Sequence, residues 1–182
     1  MSSGVILYGP PASGKDTVTA ALTVMDPRFA LFSRLKCGDG RMAGYRVVDR
    51  NTLDALVLAD EIVWSNVQYG ATYAVDRGEL ADHLSRGTPV LHLGQVAAVD
   101  AVVAATPETS WFVVGLWCPR DVAAQRLECR GSGDALRRLA VWDSTPDLGP
   151  PASTLNTGLV QPRDAAHLIA ATVAKLADAD VH

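Results

Sequence analysis

Nine consecutive residues near the start of the chain combine two glycines with a lysine that follows the second glycine. They are Gly9, Pro10, Pro11, Ala12, Ser13, Gly14, Lys15, Asp16 and Thr17, and they follow the apolar run at 5–8. In the pattern G-x-x-x-x-G-K-[S/T], glycines let backbone N–H groups turn inward around an anion while the lysine reaches its terminal phosphates. A helix that begins here adds the positive end of its dipole. A flexible turn would explain the glycines alone, but the strand, lysine and helix together predict a phosphate loop in which all nine residues bind ATP.

Asp16 departs from this pattern. It stands where a serine or threonine hydroxyl ordinarily ligates Mg²⁺, and Thr17 follows directly behind it. Magnesium is usually held by one or two protein oxygens together with phosphate oxygens of the substrate. We therefore expect Mg²⁺ as a second cofactor, with Asp16 or Thr17 and the ATP oxygens as its ligands.

Arginines on either side of a glycine-rich hinge at 131–133 form a second candidate group. On the predicted helix before the hinge they are Arg120, Arg126 and Arg130, and on the helix after it they are Arg137 and Arg138. Phosphoryl transfer depends on positioning and positive charge, so a lid that swings over ATP would deliver arginines and exclude water. We interpret Arg120 as part of a solvated helix face. We expect the remaining arginines to act with Lys15 in catalysis. The predicted catalytic set is Lys15, Arg126, Arg130 and one of the 137/138 pair, for which we take Arg137.

These segments lie between strands and helices that alternate along the chain. Apolar runs predict strands at 5–8, 29–32, 89–93, 111–117 and, weakly, 154–155. Helical periodicity and stop signals predict helices at 15–25, 76–86, 95–105, 119–130, 134–142 and 162–179. This alternation predicts an α/β fold of the P-loop NTPase class, with a doubly wound five-stranded parallel sheet and the phosphate loop at the carboxyl end of the first strand.

We expect a single domain over 1–182, with a core of 1–32, 76–130 and 143–182. Residues 33–75 predict an inserted substrate-binding lobe, as in nucleoside monophosphate kinases. It comprises a basic, mobile segment at 33–44, short strands at 45–48 and 61–64, and a helix at 51–58 capped by Asn51. Residues 131–142 form a short lid, and the proline-rich stretch 144–153 is interpreted as a loop.

Composition narrows the classes of partner. The chain has 182 residues, a formal net charge of −4 and three cysteines, and it contains no basic cluster of the kind that follows a polyanion. No apolar run approaches the roughly 20 residues that span a bilayer. We therefore expect a cytoplasmic monomer or homodimer that binds neither nucleic acid nor membrane. Cys37, Cys118 and Cys129 are expected to be reduced thiols, with Cys118 in the core.

Eight short motifs, in order along nearly the whole chain, carry a family resemblance. They are G-P-P-A-S-G-K-D-T at 9–17, S-R-L-K at 33–36, G-Y-R-V-V at 44–48, Y-G-A-T at 69–72, R-G-T-P-V-L at 86–91, R-L-E-C-R-G at 126–131, R-R-L at 137–139 and L-N-T-G at 155–158. The first, fourth and sixth are specific, and the others gain weight from their order. The chain resembles the guanylate kinase family and, within it, ribose 1,5-bisphosphate phosphokinase, which makes phosphoribosyl pyrophosphate.

The resemblance implies an ATP-dependent kinase whose small acceptor already carries a phosphate group. The implied residues for the acceptor phosphate are Arg34, Tyr45 and Tyr69, with Thr72 of the fourth motif beside them and Lys36 or Arg41 as a second charge. Lysine does not reproduce the bidentate geometry of an arginine pair. Asn156 is implied to approach the edge of adenine.

Departures from the guanylate kinase pattern bear on the acceptor. Acidic residues read guanine in that family, and their places are taken here by Val63, His92 and Gly94. A valine cannot accept hydrogen bonds from guanine N1–H and N2–H₂, and loss of such polar readout costs discrimination by roughly 10⁴-fold. The departures disfavour GMP and resemble the bisphosphate kinase, which also carries lysine-aspartate in its loop. His92 could contact a phosphate or be packed in the core.

Several alternatives remain open at this stage. Tyr45 and the long basic segment are more like guanylate kinase, so GMP, a modified nucleotide or another phosphorylated sugar could be the acceptor. Some guanylate-kinase-like domains have lost catalysis and bind protein partners. Those domains typically lose the phosphate loop, whereas Gly9, Gly14 and Lys15 are retained here. A nucleotide sensor without turnover is a further possibility.

Overall fold

Strands and helices alternate along the chain in the computed structural model, which describes residues 2–131, 133–149 and 153–179. The strands are β1 (Ser2–Tyr8), β2 (Phe29–Leu31), β3 (Leu35–Cys37), β4 (Arg46–Val47), β5 (Ile62–Gln68), β6 (Ala71–Asp76), β7 (Thr88–Leu93), β8 (Thr109–Trp117) and β9 (Ser153–Asn156). The helices are α1 (Lys15–Met25), α2 (Arg50–Leu58), α3 (Arg77–Arg86), α4 (Val96–Ala105), α5 (Arg120–Cys129), α6 (Ala135–Ser144) and α7 (Pro162–Ala179).

The central sheet consists, among the described residues, of five strands in the order β2-β7-β1-β8-β9. Every neighbouring pair in it is parallel. Val5 and Leu7 on β1 pack into one apolar cluster with α1 and α7, whereas Ile6 and Tyr8 pack into another with α3 and α4. Because successive strand residues face opposite sides, β1 needs apolar side chains on both. This confirms the doubly wound α/β fold, and it confirms the weak last strand as β9.

A second sheet lies within the inserted segment, with strand order β4-β3-β6-β5. β5 and β6 form an antiparallel hairpin whose turn residues, Tyr69 and Gly70, both have positive φ, at 54° and 79°. β3 pairs with β6 antiparallel and with β4 parallel. Leu35 on β3, Leu53 on α2 and Ala74 on β6 make the small core of this lobe. The basic segment at 33–44 thus contains a strand, β3, that the sequence analysis did not predict.

The helix of the lobe begins one residue earlier than expected and has a different cap. α2 starts at Arg50, and the carboxylate of Asp49 accepts a hydrogen bond of 2.8 Å from the N–H of Thr52. The expected cap, Asn51, lies inside the first turn. Asp49 is the better cap because its extended backbone leaves the side chain free to reach the N–H three residues on.

The structure also bears on the predictions for the cysteines, the proline-rich stretch and the membrane. The three cysteines are free, and Cys118 is fully buried. Residues 150–152 of the proline-rich stretch and Ser132 of the hinge lie outside the described residues. No helix in the described part of the chain is long and apolar enough to cross a membrane.

Candidate functional site

The loop between β1 and α1 emerges at the carboxyl end of the central strand, between β7 and β8. Gly9 and Gly14 have φ of 147° and 92°, and a Cβ on Gly9 would lie 2.1 Å from the carbonyl oxygen of Leu116. Only glycine fits at such a close approach with positive φ. Ser13 is fully buried. The loop therefore leads directly into the positive N-terminal end of α1 at this edge of the sheet, which suits a phosphate group.

Lys15 is folded over its own loop. Its Nζ donates hydrogen bonds to the carbonyl oxygens of Gly9 (2.6 Å) and Pro10 (2.8 Å) and to Oγ of Ser13 (3.2 Å). Burial lowers the pKa of Lys15 to about 7, and the neighbouring carboxylate of Asp16 opposes this only in part. A triphosphate at the loop would favour the charged ammonium, because an adjacent anion raises the pKa of a lysine.

A cleft of about 340 Å³ opens beside the loop and is walled by the loop, the inserted lobe and the lid. Twelve of the residues predicted for the site line it: Gly9, Pro11, Ala12, Ser13, Gly14, Lys15, Asp16, Arg34, Tyr45, Tyr69, Arg130 and Arg137. Six are not among its lining residues: Pro10, Thr17, Lys36, Thr72, Arg126 and Asn156. The structure thus brings together residues from four separate stretches of sequence.

The lobe contributes an arginine held against two phenol rings. The guanidinium carbon of Arg34 lies 5.8 Å from the ring centre of Tyr45 and 5.5 Å from that of Tyr73, and the two rings are 5.2 Å apart. Stacking of this kind limits the freedom of the guanidinium and leaves its N–H donors available for an anion. Arg41 also lines the cleft. This wall can bind an anionic group of a second ligand in the cleft that the phosphate loop also lines.

The lid reaches the lobe through Tyr69 and Arg138. The guanidinium carbon of Arg138 lies 5.0 Å from the ring centre of Tyr69, and Nε of Arg138 donates a 2.7 Å hydrogen bond to Asp134. Burial raises the pKa of Tyr69 to about 12, and its hydroxyl is buried with no hydrogen-bond partner among the described residues. Tyr69 therefore supports the lid with its ring.

Asp16 faces the cleft from the first turn of α1. Its carboxylate lies 3.4 Å from Nδ1 of His92, 3.3 Å from Arg41 and 4.0 Å from Arg130. The contact with His92, helped by Arg41, holds the pKa of Asp16 well below its usual range. Burial lowers the pKa of His92, and the carboxylate offsets this only in part.

A magnesium ion fits the oxygen donor of Asp16. A single cleft-facing carboxylate beside the phosphate loop is the ligand that Mg²⁺ takes when nucleotide oxygens complete its shell. The described residues contain no group of three or more metal-ligating side chains that would hold an ion by themselves. Thr17, the other candidate, is exposed and is not among the residues that line the cleft.

Lys36 and Thr72 lie outside the cleft lining, contrary to their predicted contact with substrate. Lys36 is fully buried, and its ammonium donates to the carbonyl oxygen of Asp39. It thereby secures the turn that carries Arg41 to the cleft. Thr72 pairs with Cys37 and Val67 within the lobe sheet.

Arg126 holds the phosphate loop from behind. Its guanidinium donates to the carbonyl oxygen of Ala12 (2.9 Å) and to the hydroxyl and carbonyl of Thr157 (3.0 and 2.8 Å). These contacts assign Arg126 to positioning of the loop, which corrects its place in the predicted catalytic set. Asn156 accepts from the N–H of Gly158 at 2.9 Å. Arg120 pairs with exposed Asp143 at 2.7 Å, as expected of a solvated face.

Other polar residues at the cleft escaped the sequence analysis. They are Tyr73, Asp39, Gln68, Gln95 and Thr145. Two signals could have found the amides, since Gln95 follows the carboxyl end of β7, where ligands bind in open α/β sheets, and Gln68 precedes the tyrosine-glycine turn. No local pattern distinguishes Tyr73 from an ordinary strand tyrosine, because its role depends on the ring of Tyr45 opposite it.

Comparison with known proteins supports the fold. A scan against models of protein families finds no match, and a search of curated protein sequences finds none. Among solved structures, guanylate kinase from Anaplasma phagocytophilum superposes with a TM-score of 0.61 at 15% identity, over 96% of this chain and 86% of that one. A gluconokinase from Sinorhizobium meliloti has a TM-score of 0.53 at 16% identity, over 96% and 95%. A sugar kinase from Janibacter sp. has a TM-score of 0.53 at 16% identity, over 98% of each chain. The fold is that of the P-loop kinases.

Proposed function

We propose that the protein is an ATP-dependent phosphotransferase that transfers the γ-phosphoryl group to a phosphate on a small acceptor. One observation carries the proposal: the phosphate loop with Lys15 and the stacked Arg34 line the same cleft. Two anion sites in one cleft can hold a donor triphosphate and an acceptor phosphate side by side. The P-loop kinase fold agrees with this assignment.

The residues of the cleft can perform the transfer by positioning and charge. An oxygen of the acceptor phosphate attacks the γ-phosphorus while the bond to the β-phosphate oxygen breaks. That oxygen is already anionic near neutral pH, so no general base is required. Lys15, Arg130 and Arg137 would balance the charge on the transferring group. Mg²⁺ at Asp16 would neutralise charge on the β- and γ-phosphates, and the stacked Arg34 would orient the acceptor.

For the acceptor we propose ribose 1,5-bisphosphate, with phosphoribosyl pyrophosphate as product. The positions that would read guanine support this choice. Val63 packs against the apolar cluster beside α3 and α4, and Gly94 carries no side chain. Both ring nitrogens of His92 already have partners, in Asp16 and Thr19. None of these positions offers a free acceptor for guanine N1–H and N2–H₂.

A nucleoside monophosphate, such as GMP or a modified nucleotide, is the second candidate acceptor. Two amide side chains at the cleft, Gln68 and Gln95, could hydrogen-bond to a base in place of the missing acids.

An ADP-release screen tests the proposal and separates the acceptors. Purified protein with Mg²⁺ and ATP would be tested against ribose 1,5-bisphosphate, other phosphorylated sugars, GMP and the other nucleoside monophosphates. We expect acceptor-dependent ADP release with ribose 1,5-bisphosphate, and product formation confirmed by mass. Strong activity with GMP alone would contradict the argument from Val63 and Gly94. The Arg34→Met variant serves as a matched control. Its side chain has a similar length but lacks the positive charge that would bind the acceptor phosphate.

A non-catalytic binding module is the alternative from another functional class. The intact loop, with Lys15 lining the cleft, argues against it. Isothermal titration calorimetry with ATP and Mg²⁺ distinguishes the two, because a module that binds only partner proteins would show no heat of nucleotide binding. A sensor would bind ATP and release no ADP with any acceptor in the screen.

A further inference from the structure

His92 lies between two residues of α1. Its Nε2 is 2.7 Å from the hydroxyl of Thr19, and its Nδ1 is 3.4 Å from the carboxylate of Asp16. Thr19 is 4% exposed, and the side chain of His92 is 14% exposed. The ring is therefore fixed at one end by a buried hydroxyl on the adjacent helix and points its other nitrogen at the acid of the phosphate loop.

The chemistry of the groups sets the direction of these contacts. An ionised carboxylate only accepts, so Nδ1 carries the proton that faces Asp16 whether or not the ring is charged. In the neutral ring Nε2 then accepts from the Thr19 hydroxyl. The result is a chain of donors from Thr19 through His92 to Asp16. The last contact exceeds the roughly 2.7–3.2 Å of a good hydrogen bond, which leaves room for it to shorten when a cation draws on the carboxylate.

The other cations around Asp16 are less firmly placed. The side chains of Arg41 and Arg130 are 50% and 39% exposed, and they come from the lobe and from the end of α5. Both line the cleft, so arriving phosphates would compete with Asp16 for them. Lys15 donates to the loop carbonyls. Of the described residues that contact Asp16, His92 alone lies on a strand of the central sheet, and it can stay in place when the nucleotide binds.

Asp16 departs from the phosphate-loop pattern, and the structure places it beside His92. An acid at 92 would bring a second carboxylate against Asp16, and two such charges at this distance strongly disfavour joint ionisation. A histidine replaces that repulsion with a donor. The acid in the loop and the histidine in β7 thus form one arrangement.

We propose that His92, held by Thr19, is a positioning residue that orients Asp16 toward the divalent cation of the bound nucleotide. The proposal rests on the ATP-binding part of the proposed function. Hydrogen bonds from outer residues to metal-ligating side chains fix their geometry, and loss of one typically lowers metal affinity by about 10- to 100-fold. His92 would act on the metal through Asp16.

Calorimetric titration of ATP with and without Mg²⁺, in the absence of acceptor, tests the proposal without turnover. The quantity measured is the factor by which Mg²⁺ tightens ATP binding. We expect His92→Phe to reduce this factor by about 10-fold while metal-free ATP affinity is unchanged. His92→Asn, whose amide can replace the Nδ1 donor, should stay near wild type. Thr19→Val should lower the factor less than His92→Phe, and it carries the test if the phenylalanine variant does not fold.

A double-mutant cycle with Asp16→Ser isolates the coupling. Serine restores the usual loop hydroxyl, so in that background His92→Phe should leave the Mg²⁺ factor unchanged. The proposal is overturned if His92→Phe keeps the wild-type factor, if it weakens ATP equally with and without metal, or if it acts equally in both backgrounds. Absence of ATP binding by the wild-type protein would instead overturn the proposed function itself.

Discussion

Arg126 and Arg130 lie four residues apart, and we expect their removal to have opposite consequences. Arg126 makes three hydrogen bonds to the phosphate loop and to the turn after β9. A hydrogen bond from a charged donor contributes roughly 1.5–3 kcal/mol. The three share one half-buried side chain and do not add, so we expect Arg126→Ala to lower the free energy of unfolding by about 2–3 kcal/mol.

That loss corresponds to a fall in melting temperature of about 4–12 °C for a chain of this size. Arg126→Lys keeps the charge but not the planar fork, and it should fall between alanine and wild type. Below the melting transition, turnover per folded molecule should stay within about tenfold of wild type, since the guanidinium contacts the loop backbone and not the cleft.

Arg130→Ala is the matched comparison. In the described part of the chain, the guanidinium of Arg130 lies 4.0 Å from half-exposed Asp16, and such pairs contribute about 0–1 kcal/mol. Its stability should therefore be near wild type, whereas turnover should fall by about 10²- to 10³-fold. Urea unfolding and the ADP-release assay measure the two effects. A wild-type melting temperature for Arg126→Ala, joined to a turnover loss as large as that of Arg130→Ala, would refute the assignment.

Three further variants test other parts of the structure. Lys15→Met should lower turnover by about 10³-fold or more with little change in the free energy of unfolding. Burial lowers the pKa of Lys15 to about 7, so removal of a buried charge offsets the loss of its three hydrogen bonds to the loop. Unaltered turnover would contradict the mechanism. Asp49→Ala should lower the free energy of unfolding, measured with urea, by about 1 kcal/mol because Asp49 caps α2. An equal loss in Asn51→Ala would show that the cap is misassigned. Arg46→Met should lower the free energy of unfolding by about 3 kcal/mol, because it leaves Asp76, which is 7% exposed, as a buried charge without its partner. The double variant with Asp76→Asn should recover part of that loss. If it recovers none, the loss has another cause.

Most of the fold could be predicted because its signals are local. The run at 5–8 is apolar on both faces, as a central parallel strand requires, and the glycine-lysine spacing of the loop is specific to one backbone geometry. Helix ends were harder to place. Asn51 and Asp49 are both good caps by type, and only the backbone of residue 49 selects between them.

The candidate site could be predicted in outline. The errors concern residues whose side chains point away from the cleft. Four residues on a helix advance by about 6 Å. That distance separates Arg130, which lines the cleft, from Arg126 behind the loop. Lys36 had the right charge and sequence neighbourhood for a phosphate contact, but pairing of β3 with β6 turns it into the lobe, where it holds the backbone of Asp39.

The sequence by itself determined that this chain has a phosphate loop on a parallel α/β sheet, because motif spacing and hydrophobic periodicity act over a few residues. Only the tertiary structure decided which distant side chains meet. The pairing of Asp16 with His92, 76 positions apart in the chain, and the stacking of Arg34 on Tyr45 and Tyr73 depend on strand register and on the packing of the lobe against the core. A shift of one residue in that register would turn each strand side chain to the opposite face.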